Sequence, residues 1–476
     1  MPVPGFTFIA CALLAALLFN ATRNLSIRQG ILLVANVGLL ASFANQWTQL
    51  IPYAGFLALG AVSAELRRRK VPYGAWVLPV LVLLVFVWLK RYLFIPVALQ
   101  LHPGYLLVGL SYVFFRVLHL VIDGWEELPS GPRGVLSYLN YALNFTSLVS
   151  GPIQMYRDYK EQESRGTRPQ RVQLVKAGER IVLGFFKVYA VSSFLSLIHK
   201  AIIHDYLVAH SGWLKLIEGA AVVGVYPPYL YFNFSGYTDF VIGVGELFSF
   251  NLPENFNKPF TSGNFIDFWG RWHITLSSWL KSYVYSPSLI ALMRRFPSRV
   301  VEPFLGVASY FITFFLVGLW HGQTSEFVFF GFLQGGGVAA NKLYQILMAR
   351  FMGKKRYNQL RKNELYASFC RGLTFTWFAF TLLWFWSNWV QLGAFAQHLR
   401  KADVVLAFGL LLAISWGSLQ ALFSIKTLLS RTKFWGEGLF ESRYVRFAAV
   451  VQMIGIIALL AIALNAPPSQ IVYQAF

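Results

Sequence analysis

Apolar stretches and short polar breaks alternate along nearly the whole chain. A bilayer-crossing helix needs about 17–25 residues. Runs of that kind centre on 6–20, 30–46, 49–65, 74–98, 104–122 and 134–152. Others lie at 181–199, 213–231, 233–250, 302–320, 325–347, 370–393, 402–424 and 446–465. Several are short or hold Pro or Gly, so the pattern predicts about ten to thirteen transmembrane helices rather than one per run. No internal repeat or low-complexity linker breaks the pattern, and one membrane-embedded domain over 1–476 is expected.

One stretch fits neither a loop nor a span. Residues 251–285 read NLPENFNKPFTSGNFIDFWGRWHITLSSWLKSYVY. Pro253, Pro259 and Gly263 prevent a continuous helix in the first half. In the second half Trp272, Leu276, Trp279 and Tyr283 recur with helical spacing, and His273, Ser277 and Lys281 share another face. Irregular backbone at membrane depth is tolerated only inside protein or beside a watery cavity. A re-entrant or interfacial segment is predicted, with Trp272 and Trp279 as anchors near headgroups.

Composition narrows the class. Hydrophobic residues make up 56% of the chain and charged residues only 13%, about half the charge of a typical soluble domain. A soluble enzyme, a disordered scaffold and a secreted disulfide domain are excluded, and the expected fold class is an all-α polytopic membrane protein. The net charge of +21 comes from 41 Lys+Arg against 20 Asp+Glu. These basic residues lie in short clusters between apolar runs, as the positive-inside rule expects of cytoplasmic loops, and not on one soluble face as nucleic-acid binding needs. Arg23, Arg28, Arg67, Arg68, Arg69 and Lys70 fall on the cytoplasmic side if the N-terminus lies outside. Arg157–Arg180 reads as a cytoplasmic loop with a surface helix, and Lys354–Lys362 as cytoplasmic too. Met1–Gly5 lacks a basic n-region, so 6–20 is expected to be a retained span. Cys11 and Cys370 form neither a disulfide framework nor a metal site.

Few residues invite chemistry. His102, His199, His204, His210 and His398 sit at the ends of apolar runs, where an interfacial ring needs no function. His119 lies near Arg116 and Asp123, and internal pairing is expected. His321 closes the apolar run FITFFLVGLW and precedes Gly322, so it should lie deep. An ionisable group there suggests a site, and imidazole suits proton transfer near neutral pH. Gly318 and Gly322 leave room for another chain segment or a substrate. Asp239 and Glu246 share a helix face in an apolar run, with cations expected from 258–281. No zinc, nucleotide or serine-nucleophile motif is present. A transporter using the buried histidine as a proton relay is the alternative of another class.

FNFSGYTDFVIGVGELFSFNLPENFNKPF (232–260), FWGRWHITLSSWLKSYVYSP (268–287) and GLWHG (318–322) resemble the membrane-bound O-acyltransferase family. So do GLSYVFFRVLHLVID (109–123) and SGPIQMYRDY (150–159), so that the motif-bearing core is 105–340. The likeness is to the bacterial branch that acetylates alginate or transfers D-alanine to teichoic acid. Where relatives carry a Tyr-His-Gly step, this chain has Leu333-Gln334-Gly335. SGPI and NFNKPF look like the D-alanyl branch, and FSGYTDF like the acetyl branch. The resemblance implies a helical fold around a central tunnel in the bacterial inner membrane. An acyl thioester, on coenzyme A or an acyl carrier protein, would arrive from the cytoplasm, and an envelope-polymer hydroxyl from outside. No bound cofactor is implied, while surrounding lipids and an extracytoplasmic acyltransferase are implied partners. His321 would be the general base and His273 a second catalytic residue. Asn233, Asp239, Asn257, Lys258, Ser277 and Trp320 would line the tunnel.

Overall fold

A computed structural model describes residues 3–101, 104–129, 131–165, 167–208, 212–397, 400–430 and 442–464. His102, His210 and His398 lie outside the described residues. The chain is an all-α polytopic membrane protein, as the apolar periodicity predicts. Among the described residues, Trp47–Arg68, Arg171–Val208, Glu302–His321, Ala402–Leu422 and Tyr444–Ile462 are long and apolar enough to cross a membrane. Phe6–Ala21, Leu25–Ala41, Gly74–Lys90 and Leu110–Ile122 are apolar but shorter.

Three run boundaries differ from the sequence pattern. The runs 213–231 and 233–250 are fused in one helix, Trp213–Glu246, which passes through Pro227 and Pro228. The apolar residues on either side of that proline pair carry the helix on. The run 370–393 is divided among Glu364–Thr381, Leu383–Trp386 and Trp389–Gln397. Arg171–Arg180 is not loop, because a helix starts at Arg171 behind a capping box formed by Gln170 and Gln173. Such reciprocal caps satisfy the first free N–H groups of a helix.

The chain divides into two compact units. One comprises 1–190, 233–254 and 456–476, and the other 191–232 and 255–455. In the first, Val82, Val113, Val117, Leu120 and Phe234 are fully buried. Fully buried Arg116 donates to the carbonyls of Ala142 (3.0 Å) and Ser147 (2.9 Å) and to the Ser147 hydroxyl (2.6 Å). An unpaired buried charge would be prohibitive, and these acceptors offset it. His119 is structural, as expected: Nδ1 lies 2.8 Å from Asp123, and Nε2 accepts from the Tyr156 backbone N–H.

Asp239 also belongs to this unit, but the expected partners from 258–281 are not the ones it has. Arg180 and Lys187 hold its two oxygens at 3.1 and 2.5 Å, and Arg180 also reaches Glu254 at 2.6 Å. The cations come from the 171–192 helical stretch, because glycines there and on the facing helix let the backbones meet. A Cβ on Gly184 would stand 2.6 Å from the Gly236 carbonyl.

In the second unit His199 is buried, not interfacial. Its ring shares a hydrogen bond with the Val222 carbonyl and meets Trp386 edge-on. His204, by contrast, is exposed beside Asp205.

Candidate active site

The site in the second unit is built on a short antiparallel pairing. Phe256 bridges Trp272, Asn257 N–H donates to the Arg271 carbonyl, and Ile274 N–H donates to the Asn255 carbonyl, each at 3.0 Å. Extended pairing suits 255–257 because Pro253 and Pro259 keep an α-helix from running through the segment. Between the paired segments the helix Phe265–Trp269 starts at Asn264, whose side chain accepts from Asp267 N–H. His273 then takes a left-handed backbone conformation, φ 47°, directly before the helix Ile274–Leu280. A non-glycine residue at positive φ stores strain that neighbouring contacts must hold, and such residues gather at functional sites.

Those contacts are visible. Asn255 Oδ1 accepts from the Thr275 backbone N–H at 3.2 Å and the Thr275 hydroxyl at 2.7 Å. Ser277 N–H closes the first turn on the His273 carbonyl. Trp272 is caged by Phe256, Phe268 and Phe378 at ring separations of 5.1, 5.6 and 5.0 Å.

Trp272 and Trp279 are only 1% and 3% exposed, so they are not headgroup anchors. Aromatic packing inside the unit won over the interfacial preference. The helical character also extends further than expected, from Ile274 through the π-helical turn Lys281–Tyr285 into Ser286–Arg295.

His321 ends the helix Glu302–His321 and is buried. Its ring meets Phe385 edge-on at 5.1 Å and Phe330 at 5.9 Å. Gly318 gives room to another chain segment, since a Cβ there would stand 2.1 Å from the Gly331 Cα. The two helices flanking His321 therefore touch backbone to backbone. Trp320 connects the histidines: its ring lies 4.6 Å from that of His321 and 6.2 Å from that of His273. His273 is buried, and burial pushes its imidazole well below the ordinary histidine value. Burial thus favours its neutral form.

Ser277 and Lys281 line a cavity of about 280 Å³ with Trp269, Tyr285 and Tyr310. The fold thus brings His273, Ser277, Trp320 and His321 into one unit. Asn257 and Lys258 belong to it with exposed side chains, and they serve the backbone pairing and the turn after it. Asn233, fully buried, and Asp239 belong to the other unit. Gln334 is buried, and its Nε2 donates to the Thr381 hydroxyl at 2.8 Å.

Residues missed from the sequence are Asn255, Phe330 and Phe385. Asn255 lies inside NFNKPF beside Asn257 and Lys258, and no local spacing sets it apart from them. Nothing local marked the two aromatic rings.

Comparison with known proteins gives a consistent picture. The model of the membrane-bound O-acyltransferase family matches residues 125–379. A teichoic acid D-alanyltransferase of Bacillus subtilis is 31% identical over 241 residues, which cover 48% of this chain and 58% of that protein. A probable alginate O-acetylase AlgI of Pseudomonas syringae is 30% identical over 237 residues, covering 49% and 42%. A teichoic acid D-alanyltransferase of Lacticaseibacillus rhamnosus is 30% identical over 244 residues, covering 48% and 58%. The chain spans about half the length of the curated relatives it matches.

Proposed function

Since the chain belongs to the membrane-bound O-acyltransferase family, we propose that it transfers an acyl group, taken as acetyl, from a cytoplasmic thioester to hydroxyls of an extracytoplasmic polysaccharide or other envelope polymer. The single observation that carries this reading is the buried imidazole of His321, linked through Trp320 to the buried imidazole of His273. D-alanyl is the alternative acyl group, since D-alanyltransferase and O-acetylase relatives match about equally well.

His321 is the general base. It takes the proton of the acceptor hydroxyl while the oxygen attacks the thioester carbonyl carbon. The new C–O bond forms, the C–S bond breaks, and the proton passes to the departing sulfur, so an ester and a free thiol result. A positioned base typically contributes 10²–10⁴-fold. Neutral His273 suits a different task. A buried neutral imidazole can donate a hydrogen bond to the carbonyl oxygen as charge develops there, without needing to carry the proton.

Ser277, Lys281 and the cavity they line fit the donor's approach. Asn257 and Lys258 shape the turn leading to His273. Asn233 and Asp239 are assigned to the tunnel wall on the family resemblance alone. The donor is acyl-coenzyme A or an acyl carrier protein, with no bound cofactor, and an extracytoplasmic acyltransferase takes part downstream. The location is the bacterial inner membrane.

The test is direct. Purified protein in lipid vesicles receives labelled acetyl or D-alanyl thioester and a hydroxyl-bearing polymer, and ester-linked label is measured. No ester-linked label on the polymer with either donor, in correctly inserted protein, would remove this reading.

A further inference from the structure

A larger cavity in the 255–455 unit is lined by none of the residues assigned to acyl transfer. It measures about 510 Å³, within the range of small-ligand sites. Its walls are the helices Ser325–Phe351 and Glu364–Thr381, and the helix Lys354–Lys362 lies between them in sequence. The lining is graded along those helices. Near their polar end stand Tyr344, Tyr357, Tyr366 and Arg361, with the Tyr344 and Tyr366 hydroxyls 3.0 Å apart. Two to three turns away the wall is Gly336, Gly337 and Trp377. The distance from Gly337 to Tyr344 along the helix is about 10 Å.

Three features point to one kind of occupant. First, Arg361 is exposed, leans over the Tyr357 ring at 6.0 Å and makes no ion pair among the described residues. Its helix, KKRYNQLRK, holds five basic and no acidic residues. Second, the Trp377 indole N–H has no acceptor among the described residues, although Trp377 lines the cavity. Third, the rim is apolar and open: Phe332 is 54% exposed. In a membrane protein such a rim faces acyl chains, and a basic cluster at its polar end complements an anionic headgroup.

We propose that this cavity binds one anionic glycerophospholipid from the surrounding bilayer. Arg361 and the tyrosine hydroxyls take the phosphate, and an acyl chain lies along Gly336 toward Phe332. Gly336 faces the open groove, since a Cβ there would meet nothing within 4 Å, whereas Gly337 lies under the Trp377 indole, whose Nε1 would stand 2.2 Å from a Cβ on Gly337.

Cys370 lines the same cavity and provides a probe. With Cys11→Ser it is the only thiol of the full chain. The protein is placed in phosphatidylcholine discs with or without phosphatidylglycerol, and alkylation of Cys370 by N-ethylmaleimide is timed. Phosphatidylglycerol should slow alkylation about fivefold, the factor expected for one basic residue at an anionic surface. Arg361→Gln should abolish the difference between the two bilayers. Equal rates for the unmodified Arg361 protein, or an undiminished difference with Arg361→Gln, would overturn the proposal. Protection by soluble coenzyme A in phosphatidylcholine, without protection by phosphatidylglycerol, would also overturn it, since the ligand would then be a soluble phosphate compound. Gly336→Leu gives an independent reading, because its side chain grows into open space and leaves the helix intact. Native mass spectrometry should show one fewer retained phosphatidylglycerol than for the parent chain, and an unchanged lipid count argues against the site.

Discussion

Asn255 and Thr275 are tied twice: one carboxamide oxygen accepts both the backbone N–H and the hydroxyl of Thr275. His273 lies two residues before Thr275, at a positive φ that L-residues seldom adopt. These two hydrogen bonds hold the first turn of the helix that follows His273. Asn255→Ala should remove both hydrogen bonds that its carboxamide oxygen accepts from buried Thr275, costing about 1–3 kcal/mol. Acyl transfer should fall about tenfold to a hundredfold, since small misplacements of a reacting group have effects of that size. Steady-state kinetics with a melting curve in detergent checks both. Wild-type turnover in the variant would mean that the turn is held by other contacts.

His321→Ala should abolish acyl transfer with little change in membrane abundance, because one imidazole contributes little to a fold of many packed helices. Its Trp320, Phe330 and Phe385 neighbours can close around an alanine. A general base contributes at least about 10²-fold. Retention of more than about a tenth of the activity, measured on equal amounts of inserted protein, would refute the role.

His273 has a signature in pH as well as in rate. Its folded-state value lies below the ordinary one, so the unfolded chain binds the proton more readily. Stability from this residue is therefore complete above the ordinary value near 6.5 and is lost as pH falls below it. The slope for one such group approaches 1.4 kcal/mol per pH unit at most. Melting temperatures of the wild type should drop between about pH 6.5 and 4, and those of His273→Gln should drop less steeply. Parallel curves would mean that His273 is not the group resisting protonation. If the ring polarises the thioester carbonyl, His273→Gln should also lower kcat more than it raises KM.

Much of this arrangement was legible because hydrophobic burial is written locally. The runs at 6–20, 302–320 and 325–347 became helices nearly in place, and the broken prolines of 251–260 correctly marked non-helical backbone. What was not legible depends on contacts distant in sequence. Asp239 met Arg180 and Lys187, not a cation from 258–281, because glycine contacts chose the facing helix. Trp272 and Trp279 carry a surface-like spacing, yet aromatic neighbours more than 100 residues away, such as Phe378, bury the first of them. Asn255 was hidden for the same reason, since its task is defined only by Thr275 across the turn.

The basic helix Lys354–Lys362 also bears on the donor. Clustered positive charge raises the association rate of an acidic carrier in a salt-dependent way. Reversing Lys354, Lys355 and Arg356 to Glu should raise the apparent KM for a carrier-bound acyl group at low salt. The effect should shrink as salt rises and be smaller for acyl-coenzyme A. Unchanged donor use by correctly inserted protein would leave these residues with topology alone.

The membrane path of 251–285 can be tested by where it is reached. Helix runs from Ile274 through Arg295 with a π-helical turn inside it, so its full length does not argue against crossing. Distance within the segment does. From Ile274 to Ser286 the helix rises only about 18 Å, well short of the roughly 30 Å hydrocarbon core. The residues before it pair as extended backbone, turn at Lys258 and turn again at His273, and such backbone cannot face lipid. Lys281 is exposed on this helix, and Arg294 and Arg295 close it, which fits a path that returns to the side it left. Single cysteines at Asn264 and Ser286, in a chain with Cys11→Ser and Cys370→Ser, should therefore react with a membrane-impermeant maleimide from one and the same side of sealed vesicles. Reaction from opposite sides would make the segment a span, and the approach of His273 to Trp320 and His321 would then need another explanation.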